Sequence, residues 1–185
     1  MSESESGPPR HNIVLVGFMG CGKSTVARAL HQRLGYELVD MDQMIEDRAG
    51  KPISRIFEEK GEDGFRAMES GLLRELATDD KEGRIISTGG GVVAREENRA
   101  LLRKTGYVVW LKVTAETVLD RTSRSKHRPL LQTEDPQGRV LALLAEREPL
   151  YDEVAHLTLE TEGLEADEVL AGILECAGYY FAHSA

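Results

Sequence analysis

Cysteine is scarce: Cys21 and Cys176 are the only two in 185 residues, too few for a disulfide framework. No apolar run approaches the ~20 residues that cross a bilayer. Basic charge is also short, because 23 Lys and Arg face 32 Asp and Glu for a net charge of −9. Such a balance repels phosphate backbones and anionic lipid, which excludes a general nucleic-acid binder or a membrane-surface protein. The opening stretch, residues 1–11, is Ser/Glu-rich and carries Pro8-Pro9. It lacks both the apolar core of a secretory signal and the basic character of a transit peptide, and reads as a disordered lead-in. The five histidines and two cysteines show no metal-ligand spacing, so no structural zinc is expected. There is no internal repeat and no linker strong enough to divide the chain. With 41% hydrophobic residues, residues 12–185 are expected to form one domain around a sizeable core. A reducing, cytoplasmic setting and a monomer fit these absences.

What is present alternates. Asn12 to Val16 is an apolar run that stops at Gly17, after which Val26, Leu30 and Leu34 recur every fourth position, giving strand, glycine loop and helix. A second strand is predicted at Tyr36 to Asp40. Helix-compatible sequence follows from about Asp42 to Thr78, interrupted near Gly50-Lys51-Pro52 and at Gly61, so several helical pieces are expected. Arg84 to Ser87 and Tyr107 to Lys112 read as further buried strands. A polar, basic stretch then separates Arg121 from Gly138. A helix to about Glu148, a weak strand at Ala155 to Leu159 and an amphipathic last helix, with Ala166, Leu170, Ile173, Leu174 and Ala177 on one face, complete the chain. Strands separated by helices imply parallel pairing through right-handed crossovers, hence an α/β sheet covered on both faces, with ligand sites beyond the strands' carboxyl ends.

The first of those sites is explicit. Gly17-Phe18-Met19-Gly20-Cys21-Gly22-Lys23-Ser24 has the P-loop spacing, and it lies between a strand and a helix as that motif requires. Glycines let the backbone turn its N–H groups inward, and the helix adds the positive end of its dipole. The loop from Gly20 to Gly22 would cradle phosphates and Lys23 would bridge the β- and γ-phosphates. Ser24 would place its hydroxyl on Mg²⁺, and Thr25 would reach the α-phosphate. Cys21 would be a reactive thiol if exposed, although small size is sufficient reason for it. The Asn-Lys-x-Asp motif of GTPases is missing, and the third strand has no Walker-B Asp. A kinase is favoured over a GTPase or a motor, and some other carboxylate must assist the metal.

With Val39-Asp40-Met41-Asp42, Phe65-Arg66-Ala67-Met68-Glu69, Ser87-Thr88-Gly89-Gly90-Gly91, Arg128-Pro129-Leu130-Leu131 and Arg147-Glu148-Pro149-Leu150-Tyr151 in this order, the chain resembles the shikimate kinase family from about Asn12 to Leu159. The resemblance implies a three-layer P-loop kinase with five parallel strands in order 2-3-1-4-5, a helical substrate-binding subdomain and a mobile lid at about 121–138. It implies ATP and shikimate as the two substrates and transfer of the γ-phosphate to the 3-hydroxyl.

Roles follow from the same resemblance. Asp40 would help hold Mg²⁺, and Asp42 would take a hydrogen bond from the attacking hydroxyl and act as base; either could instead cap the helix that follows. Arg66 and Arg147 would bind the shikimate carboxylate with planar paired donors, and Glu69 would orient Arg66. Gly89, Gly90 and Gly91 would approach the substrate, with the middle N–H in contact. Phe57 and Phe65 would line the pocket or pack in the core. Arg128 would deliver a cation to the transferring phosphoryl group as the lid closes, and Arg121 would stack on adenine. Left open are a kinase for gluconate or a nucleoside monophosphate, and an inactive nucleotide-binding relative.

Overall fold

The computed structural model describes residues 11–123 and 134–183. The chain alternates as β1 (Ile13–Val16), α1 (Lys23–Leu34), β2 (Glu37–Asp40), α2 (Met41–Ala49), α3 (Ile53–Thr78), β3 (Arg84–Ser87), one 3-10 turn (Val92–Ala94), α4 (Glu96–Thr105), β4 (Tyr107–Lys112), α5 (Ala115–Ser123), α6 (Pro136–Val154), β5 (Leu157–Glu160) and α7 (Ala166–His183). All neighbours pair in parallel, in the order β2-β3-β1-β4-β5. Strand composition tracks position in the sheet. β1 and β3 are buried throughout and β4 nearly so, as strands covered on both faces must be. The edge strand β5 alternates between half-buried and exposed.

The core runs along the sheet through Val14, Leu15, Ile85, Ile86, Val108 and Val109, with Ala27, Leu30, Leu73 and Ile173 packing on it from the helices. α1 packs against α7, while α3, α4 and α6 pack in series, and these two groups form the outer layers. Among the described residues no helix is long and apolar enough to cross a membrane.

Several boundaries differ from expectation, three of them for a visible local reason. α2 begins at Met41 because Asp40 caps it, its carboxylate accepting the N–H groups of Asp42 and Gln43. α6 continues through Pro149 to Val154. Proline removes the hydrogen bond to the carbonyl four residues back, but Ala145 is exposed and water can serve its carbonyl. The last strand therefore starts at Leu157, since the Ala155 N–H still bonds to the Tyr151 carbonyl as the end of α6. α3 is broken at Gly61 (φ 68, ψ −178), one of the predicted interruptions. Of the lead-in, residues 1–10 lie outside the described residues, and the ring of His11 rests on Phe181 at 4.7 Å. Of the expected lid, Arg121 ends in the last turn of α5, residues 136–138 begin α6, and residues 124–133 lie outside the described residues.

Candidate active site

β1 ends and α1 begins across the glycine loop, where Gly17, Gly20 and Gly22 have φ of 144°, 80° and 96°, values that side chains resist. A Cβ on Gly17 would also stand 2.6 Å from the Leu111 carbonyl oxygen and 2.8 Å from the Cys21 Sγ. α1 has no side-chain cap and no acidic residue in its first turn, so the positive end of its dipole is left for a ligand. Lys23, only 9% exposed, folds back over the loop. Its ammonium donates to the carbonyls of Gly17 at 2.7 Å and Phe18 at 3.0 Å and touches the Cys21 Sγ at 3.6 Å. Cys21 is buried, so the exposure on which its reactivity was conditional is not met, and its small side chain fits the space between Gly17 and Lys23.

The end of β2 separates the two aspartates. Asp40 is the cap of α2: its Oδ1 accepts from Asp42 N at 3.1 Å and Gln43 N at 3.2 Å. Asp42 sits in the first helical turn, and its own Oδ1 is buried with no hydrogen-bond partner among the described residues. Burial raises its carboxyl above the ordinary carboxylate range; Lys23 opposes that shift, Asp40 adds to it and Arg66 opposes it.

β3 leads into the three glycines, and the reason for them is steric. A Cβ on Gly91 would fall 2.1 Å from the Arg66 Nη2, and one on Gly89 would fall 2.6 Å from the Glu69 Oε1 and 2.9 Å from the Asp42 Oδ1. Charged groups occupy the space that side chains would need. Arg66 is buried and donates to Glu69 Oε2 at 2.8 Å and Glu62 Oε1 at 3.3 Å. Glu69 is fully buried, and burial raises its carboxyl while Arg66 pulls it back. Arg147, 2% exposed, donates to the Gly90 carbonyl at 3.3 Å and lies 5.7 Å from the Phe18 ring centroid. No carboxylate among the described residues pairs with it. Burial pulls its guanidinium down, Tyr151 opposes that and Arg66 adds to it. Phe65 packs in the core against the half-buried Phe57, at 4.9 Å between ring centroids.

A cleft of about 590 Å³ joins these parts; Lys23, Ser24, Thr25, Asp40, Asp42 and Gly90 line it. At its far end stand Arg121, Thr161 and Leu164, with the Arg121 Nη1 donating to the Gly20 carbonyl at 2.8 Å. Glu162 accepts the hydroxyls of Thr114 and Thr117, tying the segment after β5 to the start of α5. Arg66 and Arg147 do not line the cleft; Arg147 reaches its wall through the Gly90 carbonyl, and Arg66 lies against Gly91, the next residue along.

The family model described as shikimate kinase matches residues 19–177. The chain belongs to the shikimate kinase family. A shikimate kinase from Thioalkalivibrio sulfidiphilus is 47% identical over 169 residues, which is 91% of this chain and 86% of that protein. A solved shikimate kinase from Acinetobacter baumannii, in complex with shikimate, superposes with a TM-score of 0.86 at 44% identity, covering 91% of this chain and 93% of that one. A gluconokinase from Sinorhizobium meliloti has a TM-score of 0.60 at 18% identity over 97% and 100% of the two chains, a likeness of fold alone.

On this shikimate kinase fold, the predicted residues that are described lie near one another. Lys23, Ser24, Thr25, Asp40, Asp42, Gly90 and Arg121 share the cleft; Arg66, Arg147, Gly89 and Gly91 back it. Arg128 lies outside the described residues. The capping alternative is realised by Asp40 and not by Asp42. Sequence reading assigned no role to Tyr151, whose hydroxyl donates to the Gly90 carbonyl, although the residue closes one of the quoted motifs. It also passed over Thr161 and Leu164, which no motif marks.

Proposed function

We propose that this chain transfers the γ-phosphate of ATP to the 3-hydroxyl of shikimate, giving shikimate 3-phosphate and ADP in the biosynthesis of chorismate and the aromatic amino acids. The carrying observation is Arg147: a buried guanidinium without a carboxylate partner among the described residues is costly unless a ligand supplies the anion. Shikimate has that carboxylate. Arg66, already paired with Glu69, would hold its other side. Asp42 supplies the acceptor for the proton. As the 3-oxygen bonds to the γ-phosphorus, its O–H bond breaks toward the unpartnered Oδ1 of Asp42, and the bond to the β-phosphate oxygen breaks to release ADP. A carboxyl raised by burial is a better base than an exposed one. Gly90 would present its N–H to the substrate, and Arg121 would lie against adenine. Lys23 and the N–H groups of the loop from Gly20 to Gly22 would hold the phosphates, with Thr25 on the α-phosphate. Arg128 keeps its expected part, a cation brought to the transferring group.

Mg²⁺ fits the donors present. Ser24 and Asp40 offer one hydroxyl and one carboxylate on the cleft, the sparse oxygen set of an ion that keeps waters and leans on phosphate. When bound, it would neutralise charge on the β- and γ-oxygens. We take the chain to act as a cytoplasmic monomer.

ADP release with Mg-ATP and a panel of shikimate, quinate, gluconate and nucleoside monophosphates tests the reading. Strict dependence on shikimate is expected. Turnover of gluconate or a nucleotide in its place would replace the substrate, and no turnover with any of them would favour an inactive nucleotide binder.

A further inference from the structure

Tyr151 has no part in the reaction as written, yet it is completely buried. Its ring stacks on Trp110 with centroids 5.7 Å apart, and its hydroxyl donates to the Gly90 carbonyl. Arg147 donates to that same oxygen at 3.3 Å. Positions four apart on a helix share a face, so α6 brings two donors to one acceptor. Burial holds the phenol well above its ordinary titration range, and it remains a donor throughout the working pH range.

The Gly90 carbonyl is one of a consecutive run in which every oxygen is taken. Gly89 accepts from Val92 N at 3.2 Å and Gly91 from Ala94 N at 3.0 Å. Val92 accepts from the Asn98 amide at 2.9 Å and Val93 from Arg99 at 3.0 Å. By contrast, the N–H groups of Gly89, Gly90 and Gly91 have no acceptor among the described residues. The segment is thereby polarised, its acceptors satisfied within the protein and its donors left for a ligand. No peptide bond among the described residues is cis, and in a trans peptide C=O and N–H point in opposite directions. Tying the Gly90 oxygen to α6 therefore turns the Gly91 N–H away from α6.

We infer that Tyr151 is a positioning residue for the acceptor substrate: its hydroxyl shares the Gly90 carbonyl with Arg147, fixing the glycine segment as a donor surface and leaving the guanidinium able to turn to a carboxylate. Without that hydroxyl, Arg147 alone would serve the Gly90 oxygen, in competition with its anionic ligand. The inference rests on the shikimate kinase reading and adds a residue to it.

Tyr151→Phe keeps the ring on Trp110 and removes only the donor. Initial rates with each substrate varied in turn, together with Tm, are the test on the full chain. The KM for shikimate is expected to rise ~5–10-fold, the worth of one buried hydrogen bond, with the KM for ATP within about twofold of the parent and Tm little changed. Unchanged kinetics would overturn the inference, as would equal losses toward both substrates with a lowered Tm. Amide resonances of Gly90 and Gly91 in the unmutated chain, followed on titration with shikimate, give a readout independent of the variant's folding; they are expected to shift, and stationary resonances overturn it. Turnover of a different acceptor by the unmutated chain would defeat the substrate reading alone, because a selective KM rise for that acceptor in Tyr151→Phe would still support the positioning role.

Discussion

Asp42 donates its backbone N–H to the Oδ1 of Asp40 at 3.1 Å, so one carboxylate fixes the backbone from which the other projects. Capping, which either aspartate could have supplied, falls to Asp40 alone. Asp40 starts α2 and lines the cleft; Asp42 keeps an oxygen without a partner among the described residues beside the glycines.

Substitutions at Asp40 separate cap from metal. Asn retains capping ability, so Asp40→Asn should hold Tm near the parent value and raise the Mg²⁺ concentration needed for half-maximal rate. Asp40→Ala should lose about 1 kcal/mol of stability as well. Thermal melts and Mg²⁺ titrations of both variants check this, and an equal Tm loss in the two would remove the cap assignment.

Asp42→Asn should lower kcat ~10²–10⁴-fold, the usual worth of a positioned base, with little change in either KM. Because burial disfavours the ionised side chain, the variant should be no less stable than the parent. Steady-state rates and a melt suffice, and a near-parental kcat would take the proton-accepting role from this residue.

The two buried arginines should behave differently. Removing Arg66 strands the buried carboxylate of Glu69, so Arg66→Ala should lose roughly 3–5 kcal/mol of stability as well as shikimate affinity. Arg147→Met removes a cation that has no counter-ion among the described residues, and should leave Tm unchanged or higher while shikimate affinity falls ~10–100-fold. Calorimetric binding beside melts tests the contrast; matching stability losses would refute it.

His156 makes the sheet edge acid-sensitive. Its Nδ1 accepts the Val108 N–H at 3.0 Å, which requires the neutral ring, and burial followed by Arg103 lowers its tendency to protonate. With the folded pKa depressed, the unfolded chain binds the extra proton first. Stability contributed by neutral His156 is present above about pH 6.5 and falls as the pH drops toward the folded value. The Tm loss between neutral and mildly acidic buffer should be smaller in His156→Leu than in the parent. Parallel pH–Tm curves would contradict this.

The central strands could be read directly because burial on both faces writes an unbroken apolar run, and Gly83 and Gly106 mark where two of them begin: Arg84 to Ser87 and Tyr107 to Lys112 appear with their observed limits. The phosphate loop was equally legible, since its chemistry is local. Arg66 and Arg147 were not, because 81 residues separate them in the chain and only the packing of α3 and α6 on the glycine segment sets them against neighbouring glycines. Resemblance named them, and residue spacing could not have done so. Pro149 misled in the opposite direction, since a helix break was avoidable once the orphaned carbonyl faced solvent. Tyr151 escaped notice for a related reason: nothing in a sequence says which carbonyl a buried hydroxyl will find.

The folded-back side chain of Lys23 has a consequence for ligand entry. The loop already has its cation in place, its ammonium hydrogen-bonded to the carbonyls of Gly17 and Phe18 and largely buried, so an incoming phosphate would exchange one set of oxygens for another. Such an exchange replaces two neutral dipoles with charged oxygens, so the ammonium would bind an incoming phosphate more strongly than the carbonyls it releases.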